Sequence, residues 1–324
     1  MRIEDKKNRG RRTEKGVPAF QSKTKNGSAK PKPEAAELST AKTNMPKRDA
    51  FTADWNCDAD PGYSKNRNSA ADSVFAEIRL KPYKKDFSFS YSCGVFPTCE
   101  LLNVRPDMLK KLVVTSDSLE NAGVKKLIEG AEKLRVPVAV DDKTAERIYP
   151  KENTRAIGVF TKYETPLDPS ANHVVLVNPS DMGNLGTIIR TMTAFELLDL
   201  AIITPAADVF DPKVIRASMG AFFHLRCTRF SSFEDYTASL AGNGTPSRAF
   251  YPFMLGGKTM ESVKHPGGCF TLIFGNEASG LPESFSKVGS PVRIDHANTV
   301  DSLNLPVAAS IGIYYFVKDG LHHE

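Results

Sequence analysis

Short apolar runs and polar breaks alternate along the C-terminal half of the chain. Runs at 174–177, 200–203, 222–227, 249–253, 270–274 and 292–294 read as buried strands. Between them, 184–196, 211–218, 232–240, 281–287 and 302–317 read as helices; in the first of these Leu185, Ile188, Ile189, Met192 and Phe195 recur at helical spacing. Alternation of this kind predicts a mostly parallel sheet with helices on both faces.

The preceding stretch, 73–162, has its own pattern. Strands are expected at 110–115, 136–140 and 155–160. A turn falls at Ser116, Asp117 and Ser118, and a helix over 121–134 places Val124, Leu127, Ile128, Ala131 and Leu134 on one face. A helix starts near Pro97, a short helix covers 144–149, and 75–80 reads as a strand or short helix. The expectation is a small α/β domain of about 90 residues. Residues 161–172, with Pro166, Asp168 and Pro169, read as a linker, and a second domain covers 170–324. Residues 1–72 show no hydrophobic periodicity and predict a disordered tail.

Composition adds three points. The chain has 324 residues, 40% of them hydrophobic, enough for two domains with real cores. Its net charge is +5, yet residues 1–50 hold 14 Lys/Arg against 6 Asp/Glu, a balance of +8, so the rest carries −3. The tail therefore predicts a basic arm with salt-sensitive affinity for phosphates. Five scattered cysteines form no CxxC pair, which argues against zinc and disulfides and for a reducing, cytoplasmic setting. No apolar run approaches the ~20 residues that span a bilayer, and no histidine pair makes a metal site.

The candidate chemistry sits after three strands. Asn178 to Gly186 follow the strand at 174–177. Gly275, Asn276, Glu277 and Gly280 follow the strand at 270–274. Asp295 to Asp301, then Ser302, Leu303 and Asn304, follow the strand at 292–294. In a parallel sheet the carboxyl ends lie on one edge, so the three loops can build one site. Gly275 and Gly280 permit close backbone approach to a flat ligand. Asn276, Glu277, Ser302 and Asn304 supply donors and acceptors, and Arg190 supplies a planar fork for phosphate or carboxylate. Neither GxxxxGK[ST] nor GxGxxG is present, which argues against a nucleoside triphosphatase and a dinucleotide fold.

These loops resemble the three motifs of the SpoU/TrmH-type (SPOUT) RNA 2′-O-ribose methyltransferases. The first runs from Asn178 through Gly183, Asn184 and Gly186 to Arg190, the second from Ile273 to Leu281, and the third from Asp301 to Ile311. The stretch 73–162 resembles, more loosely, the L30-like substrate-binding domain that often precedes this unit. The resemblance implies a C-terminal trefoil knot, a homodimer, and S-adenosylmethionine held by Gly275, Asn276, Gly280, Ile294 and Leu303. It implies Asn184, Arg190, Glu277, Ser302 and Asn304 around the methyl and the ribose, and no metal. Two departures stand out: Ile294-Asp295-His296 replaces the family's usual Ile-Pro-Met, and Ser180, Asp181 and Met182 are extra.

The implied reaction moves a methyl group from a sulfonium to the 2′-oxygen of a ribose in ribosomal RNA, or in tRNA. Aligning oxygen, methyl carbon and sulfur supplies much of the rate. A guanidinium is a poor base at neutral pH, so Arg190 is expected to orient the hydroxyl through a neighbouring phosphate and to stabilise charge developing on the oxygen. Two alternatives stay open at this stage: a non-catalytic RNA-binding protein of the same fold, and a methyltransferase acting on a base nitrogen.

Overall fold

A computed structural model describes residues 79–151, 154–241, 246–263, 267–297 and 299–320. The basic tail expected over 1–72, and most of the element expected at 75–80, lie outside them. In chain order the strands are β1 (Phe89–Cys93), β2 (Leu109–Val114), β3 (Val138–Val140), β4 (Ala156–Thr161), β5 (His173–Val177), β6 (Asp199–Ile203), β7 (Arg226–Phe230), β8 (Arg248–Thr259), β9 (Cys269–Phe274) and β10 (Val292–Arg293). The α-helices are α1 (Val95–Val104), α2 (Ala122–Lys133), α3 (Asp142–Ile148), α4 (Met182–Ala194), α5 (Pro212–Ala217), α6 (Phe233–Ser239) and α7 (Leu305–Val317).

The larger sheet has the order β10-β8-β9-β5-β6-β7, and every pairing in it is parallel. All five residues of β5 and of β6 are buried. Helices cover both faces, which is why these strands read as unbroken apolar runs. On one face Val175, Val177, Ala201, Ile203 and Ile273 pack with Tyr236 of α6 and with Phe285. Alternate residues face the other way, where α7 comes so close that a Cβ on Gly312 would lie 2.5 Å from the Phe253 ring.

Edges behave differently. The expected strand at 222–227 is displaced: 221–224 is a 3-10 turn, and the strand is β7. Phe222 and Phe223 are buried not by sheet pairing but by an aromatic cluster with Phe160, Phe210 and Tyr163. The edge strand itself alternates Arg226, Thr228 and Phe230, and its apolar signal is correspondingly weak. The helix expected at 281–287 is a 3-10 turn, Glu283–Lys287.

The smaller sheet has the order β1-β4-β2-β3, with β1-β4 and β2-β4 antiparallel and β2-β3 parallel. Side-chain caps set its helix starts: Asn121 accepts from Gly123 and Val124 N–H at the head of α2, and Asp141 accepts from Thr144 N–H at the head of α3. Cys93 and Cys99 are buried free thiols in this layer. Strand β1 was not anticipated. Its serines are buried with polar neighbours: the Ser90 hydroxyl donates to the Phe210 carbonyl, and Thr98 Oγ1 donates to the Ser92 carbonyl at 2.9 Å and lies 3.5 Å from the Ser92 hydroxyl.

The two sheets are joined by more than the aromatic cluster. Arg105 Nε donates to the Phe223 carbonyl (3.2 Å), and Arg216 Nη1 on α5 donates to Thr154 Oγ1 (3.1 Å). Gly220, at φ 84°, brings its backbone against α1, where a Cβ would lie 2.7 Å from Glu100 Cβ. At the amino edge of the large sheet the linker is pinned by Asp199, which accepts from Asp168 N–H (2.8 Å) and from Arg226. Among the described residues, no helix is long and apolar enough to cross a membrane.

Candidate functional site

The carboxyl ends of β5 and β9 are adjacent, and the loops leaving them are bonded to each other. Asn178 ends β5 in the left-handed region (φ 53°), which asparagine tolerates better than most residues. Its N–H donates to the Ile203 carbonyl at 3.0 Å, and its carbonyl accepts from Asn276 Nδ2 at 2.8 Å. One residue thus ties together the ends of β5, β6 and β9. Asp181 caps α4 by accepting from Asn184 N–H at 2.7 Å. That cap lies in the segment where the sequence departs from the family pattern, and an Asp three residues ahead of the helical periodicity is the signal that marks it.

Glu277 is the hub of the two loops. Its Oε2 accepts from Ser180 Oγ (2.8 Å), Ser180 N–H (3.1 Å) and Asn276 Nδ2 (3.3 Å). Its Oε1 accepts from Asp181 N–H (3.1 Å) and Asn184 Nδ2 (3.4 Å). Partial burial pushes this carboxyl's pKa up, but the N–H groups of Glu277, Asp181 and Ser180 and the Ser180 hydroxyl outweigh it and hold the pKa below the ordinary value. The group is a fixed carboxylate at neutral pH.

The glycines have more specific duties than close approach to a ligand. The loop after β9 closes on itself: Asn276 and Gly280 exchange backbone hydrogen bonds of 3.1 and 2.9 Å, and Asn276 Oδ1 accepts from Ala278 and Ser279 N–H. A Cβ on Gly275 would lie 2.1 Å from the Gly280 carbonyl carbon, so Gly275 is demanded by the loop's own return. Gly280 has φ 67° and open space where a Cβ would go. Gly186 serves packing, since a Cβ there would lie 2.5 Å from Ala217 Cβ and 2.8 Å from the Val214 carbonyl, and so it lets α4 and α5 touch.

Arg190 lies on the exposed stripe of α4 together with Gly183 and Thr187, above the buried Leu185, Ile188, Ile189 and Met192. Among the described residues it has no hydrogen-bond or ion-pair partner. Asn184 and Arg190 are six residues apart, about 120° around the helix and about 9 Å along it. The Asn184 side chain points into the Glu277 hub, whereas Arg190 faces outward. The third loop reaches α4 by another route: Asn304 occupies the cap position of α7, and Thr191 Oγ1 lies 3.0 Å from Ser310 Oγ on that helix. The structure therefore brings Asn184, Asn276, Glu277 and Gly280 into one bonded unit. Ser302 and Asn304 are exposed, and neither is bonded to that unit. Leu303 is half-buried, as is Ile294 just past β10, and the departing Asp295 pairs locally with Arg293 Nε at 2.8 Å. Thr191 and Ser310 are contributors that the sequence pattern did not single out, and Ser180 and Asp181 stood out in it only as a departure from the family motif. Among the described residues, no group of three or more His, Cys, Asp or Glu could hold a metal ion.

An all-parallel sheet with this three-loop edge is the fold of the SPOUT methyltransferases. It aligns with the SpoU methyltransferase AviRb of Streptomyces viridochromogenes in complex with AdoMet (TM-score 0.63, 22% identity, 72% of this chain and 91% of that one). It aligns equally with an AdoMet-bound rRNA methyltransferase of Sinorhizobium meliloti (TM-score 0.62, 23% identity, 72% and 89%). In sequence the chain is 26% identical over 216 residues to the 23S rRNA (guanosine(2553)-2′-O)-methyltransferase RlmP of Bacillus subtilis, covering 62% of this chain and 84% of that protein. It is 30% identical over 159 residues to the 23S rRNA (uridine(2479)-2′-O)-methyltransferase of Streptomyces viridochromogenes, covering 45% of this chain and 52% of that protein. Residues 171–314 match the SpoU rRNA Methylase family, so this segment of the chain is a SpoU methylase domain.

Proposed function

We propose that the protein is an S-adenosylmethionine-dependent RNA methyltransferase that modifies a ribose 2′-hydroxyl, with ribosomal RNA favoured over tRNA as substrate. The observation that carries this reading is the bonded union of two motif loops at one sheet edge, with Arg190 exposed further along the helix that leaves it and without a hydrogen-bond or ion-pair partner among the described residues. Ribosomal RNA is favoured by the 23S rRNA relatives, against others whose names give tRNA.

The residues present fit the cofactor. Ala278, Ser279 and Gly280 are exposed, and space is open where a Cβ on Gly280 would go, so the outer surface of this self-bonded turn is open to a flat ligand. We assign Gly275, Asn276, Gly280, Ile294 and Leu303 to that cradle. When bound, the cofactor supplies an electrophilic methyl group. Arg190 grips the phosphate next to the target ribose and orients the 2′-hydroxyl. The same cation stabilises charge developing on the oxygen. Asn184, Ser302 and Asn304 hold the ribose and the methyl approach in line, with Glu277 behind Asn184.

The wider architecture follows the same reading. The sheet at 170–324 is the catalytic domain and would carry the trefoil knot at its C-terminal end; the sheet at 73–162 is an L30-like RNA-binding domain. A second copy of the chain covers α7, where Val307, Ile311 and Tyr314 leave an apolar stripe 48%, 36% and 52% exposed at i, i+4 and i+7. The free thiols suit a cytoplasmic enzyme. The test is Arg190→Ala. Methyl transfer to RNA falls to near background, while calorimetric cofactor binding is retained; near-normal transfer in that variant refutes the assignment.

A further inference from the structure

We infer that Ser180 is a positioning residue that keeps Glu277 as a permanent hydrogen-bond acceptor, so that Glu277 locks the loop after β5 to the loop after β9 and aims Asn184 rather than moving a proton. The inference rests on the methyltransferase reading and refines the part played by Glu277 within it.

The argument is one of capacity. An ionised carboxylate offers about four lone-pair sites, and five donors already converge on Glu277. Two of the five come from Ser180, and one of these is the shortest contact of the set, 2.8 Å from its hydroxyl. A group that collects a substrate proton needs an unfilled acceptor site within hydrogen-bond reach of that proton. The acceptor sites of Glu277 are filled from within the protein.

Direction matters too. Four of the five donors belong to the stretch 180–184, and they meet an acceptor more than 90 residues away in sequence. The bonds therefore run between loops. Asn276 Nδ2 supports them from the other side, bonding the Asn178 carbonyl at 2.8 Å. Losing the Ser180 hydroxyl leaves the Asn184 carboxamide tethered by a looser carboxylate. The loop geometry degrades while the chemistry of every group that meets substrate is unchanged.

The experiment uses the full chain and three variants, Ser180→Ala, Ser180→Thr and Glu277→Gln. Methyl label is transferred from S-adenosylmethionine to total RNA prepared from cells lacking the protein. Amide hydrogen exchange at 180–184 and 276–280 is measured in parallel. Ser180→Ala is expected to lower the rate at saturating cofactor about tenfold, with a pH–rate curve parallel to the parent between about pH 4 and 9. Ser180→Thr restores the rate, and both Ser180→Ala and Glu277→Gln lose exchange protection at 180 and 181. A pH–rate limb that disappears in Glu277→Gln overturns the inference, because Glu277 then carries a proton; so does unchanged exchange protection in Ser180→Ala and Glu277→Gln. If the parent labels no RNA, the methyltransferase reading fails, and the exchange data alone decide whether the two loops are locked as stated.

Discussion

Thr191 and Ser310 share a hydrogen bond of 3.0 Å that joins the helix bearing Arg190 to the helix that begins after Asn304. Ser310 also donates to the Pro306 carbonyl at 2.7 Å, so its only proton is committed and Thr191 is the donor in the pair. Along the same seam the Phe195 and Tyr314 rings lie 5.7 Å apart. Ser310→Ala removes the acceptor and strands the half-buried Thr191 hydroxyl. Urea unfolding should show a loss of about 1 kcal/mol with an unchanged m-value. Thr191→Ala in the same background should add nothing further, since the partner is already gone.

Gly186→Ala tests the contact of α4 with α5. Helix propensity alone favours alanine by about 1 kcal/mol. The added methyl would lie 2.5 Å from Ala217 Cβ and 2.8 Å from a backbone carbonyl, and backbone cannot yield as a flexible side chain does. Overpacking of this kind costs about 1–3 kcal/mol. The expected outcome is net destabilisation in thermal unfolding, and only partial relief by a paired Ala217→Gly, because the Val214 carbonyl stays in the way.

Much of this architecture was legible because the central strands are buried on both faces: runs such as 174–177 have no polar residue to blur them. The three loops were legible because parallel strands bring their carboxyl ends to one edge whatever the connections between them. Where the reading slipped, tertiary contacts had overridden local pattern. Phe222 and Phe223 resemble strand residues, but they fill the space between two sheets. Strand β1 alternates aromatics with serines that look solvent-facing, yet Ser90 and Ser92 are 0% exposed, among polar neighbours. Gly275 illustrates a different limit. Its composition suggested a ligand, whereas its environment is the backbone of its own loop, and no one-dimensional pattern distinguishes the two.

Gly275→Ala should therefore act through loop closure. The new Cβ would fall 2.1 Å from the Gly280 carbonyl carbon and 2.3 Å from Leu281 N, and the exchange of bonds between Asn276 and Gly280 cannot survive that displacement. Calorimetry should show cofactor affinity reduced by at least about tenfold, about 1.4 kcal/mol. Gly280→Ala meets no atom within 4 Å and is penalised only by its positive φ, a matter of about 1–2 kcal/mol. It should be the milder of the two, and the reverse order would refute loop closure as the role of Gly275.

At the opposite edge of the sheet, His173 makes stability depend on pH. Its Nε2 lies 2.7 Å from the Asp168 carbonyl, which can only accept, so Nε2 carries the proton and Nδ1 accepts from Tyr236 OH at 2.9 Å. The Tyr236 oxygen in turn accepts from Thr271 Oγ1 at 2.9 Å. A second proton on the ring would sit against the Tyr236 donor, in a fully buried site. Burial, and then the Arg248 charge, push the pKa down from 6.5 to about 4, while the Asp168 carbonyl and the Asp199 charge oppose the shift. Because the folded value is the lower one, the unfolded chain binds more protons between about pH 4 and 6.5, and stability falls as pH drops through that window. The contribution is complete above about pH 6.5 and amounts to about 3 kcal/mol. His173→Gln keeps a hydrogen-bonding side chain without the titration. Unfolding free energies measured at pH 7.5, 6 and 5 should fall less steeply in the variant than in the parent, by about 1 kcal/mol per pH unit, and equal slopes would remove His173 from the account.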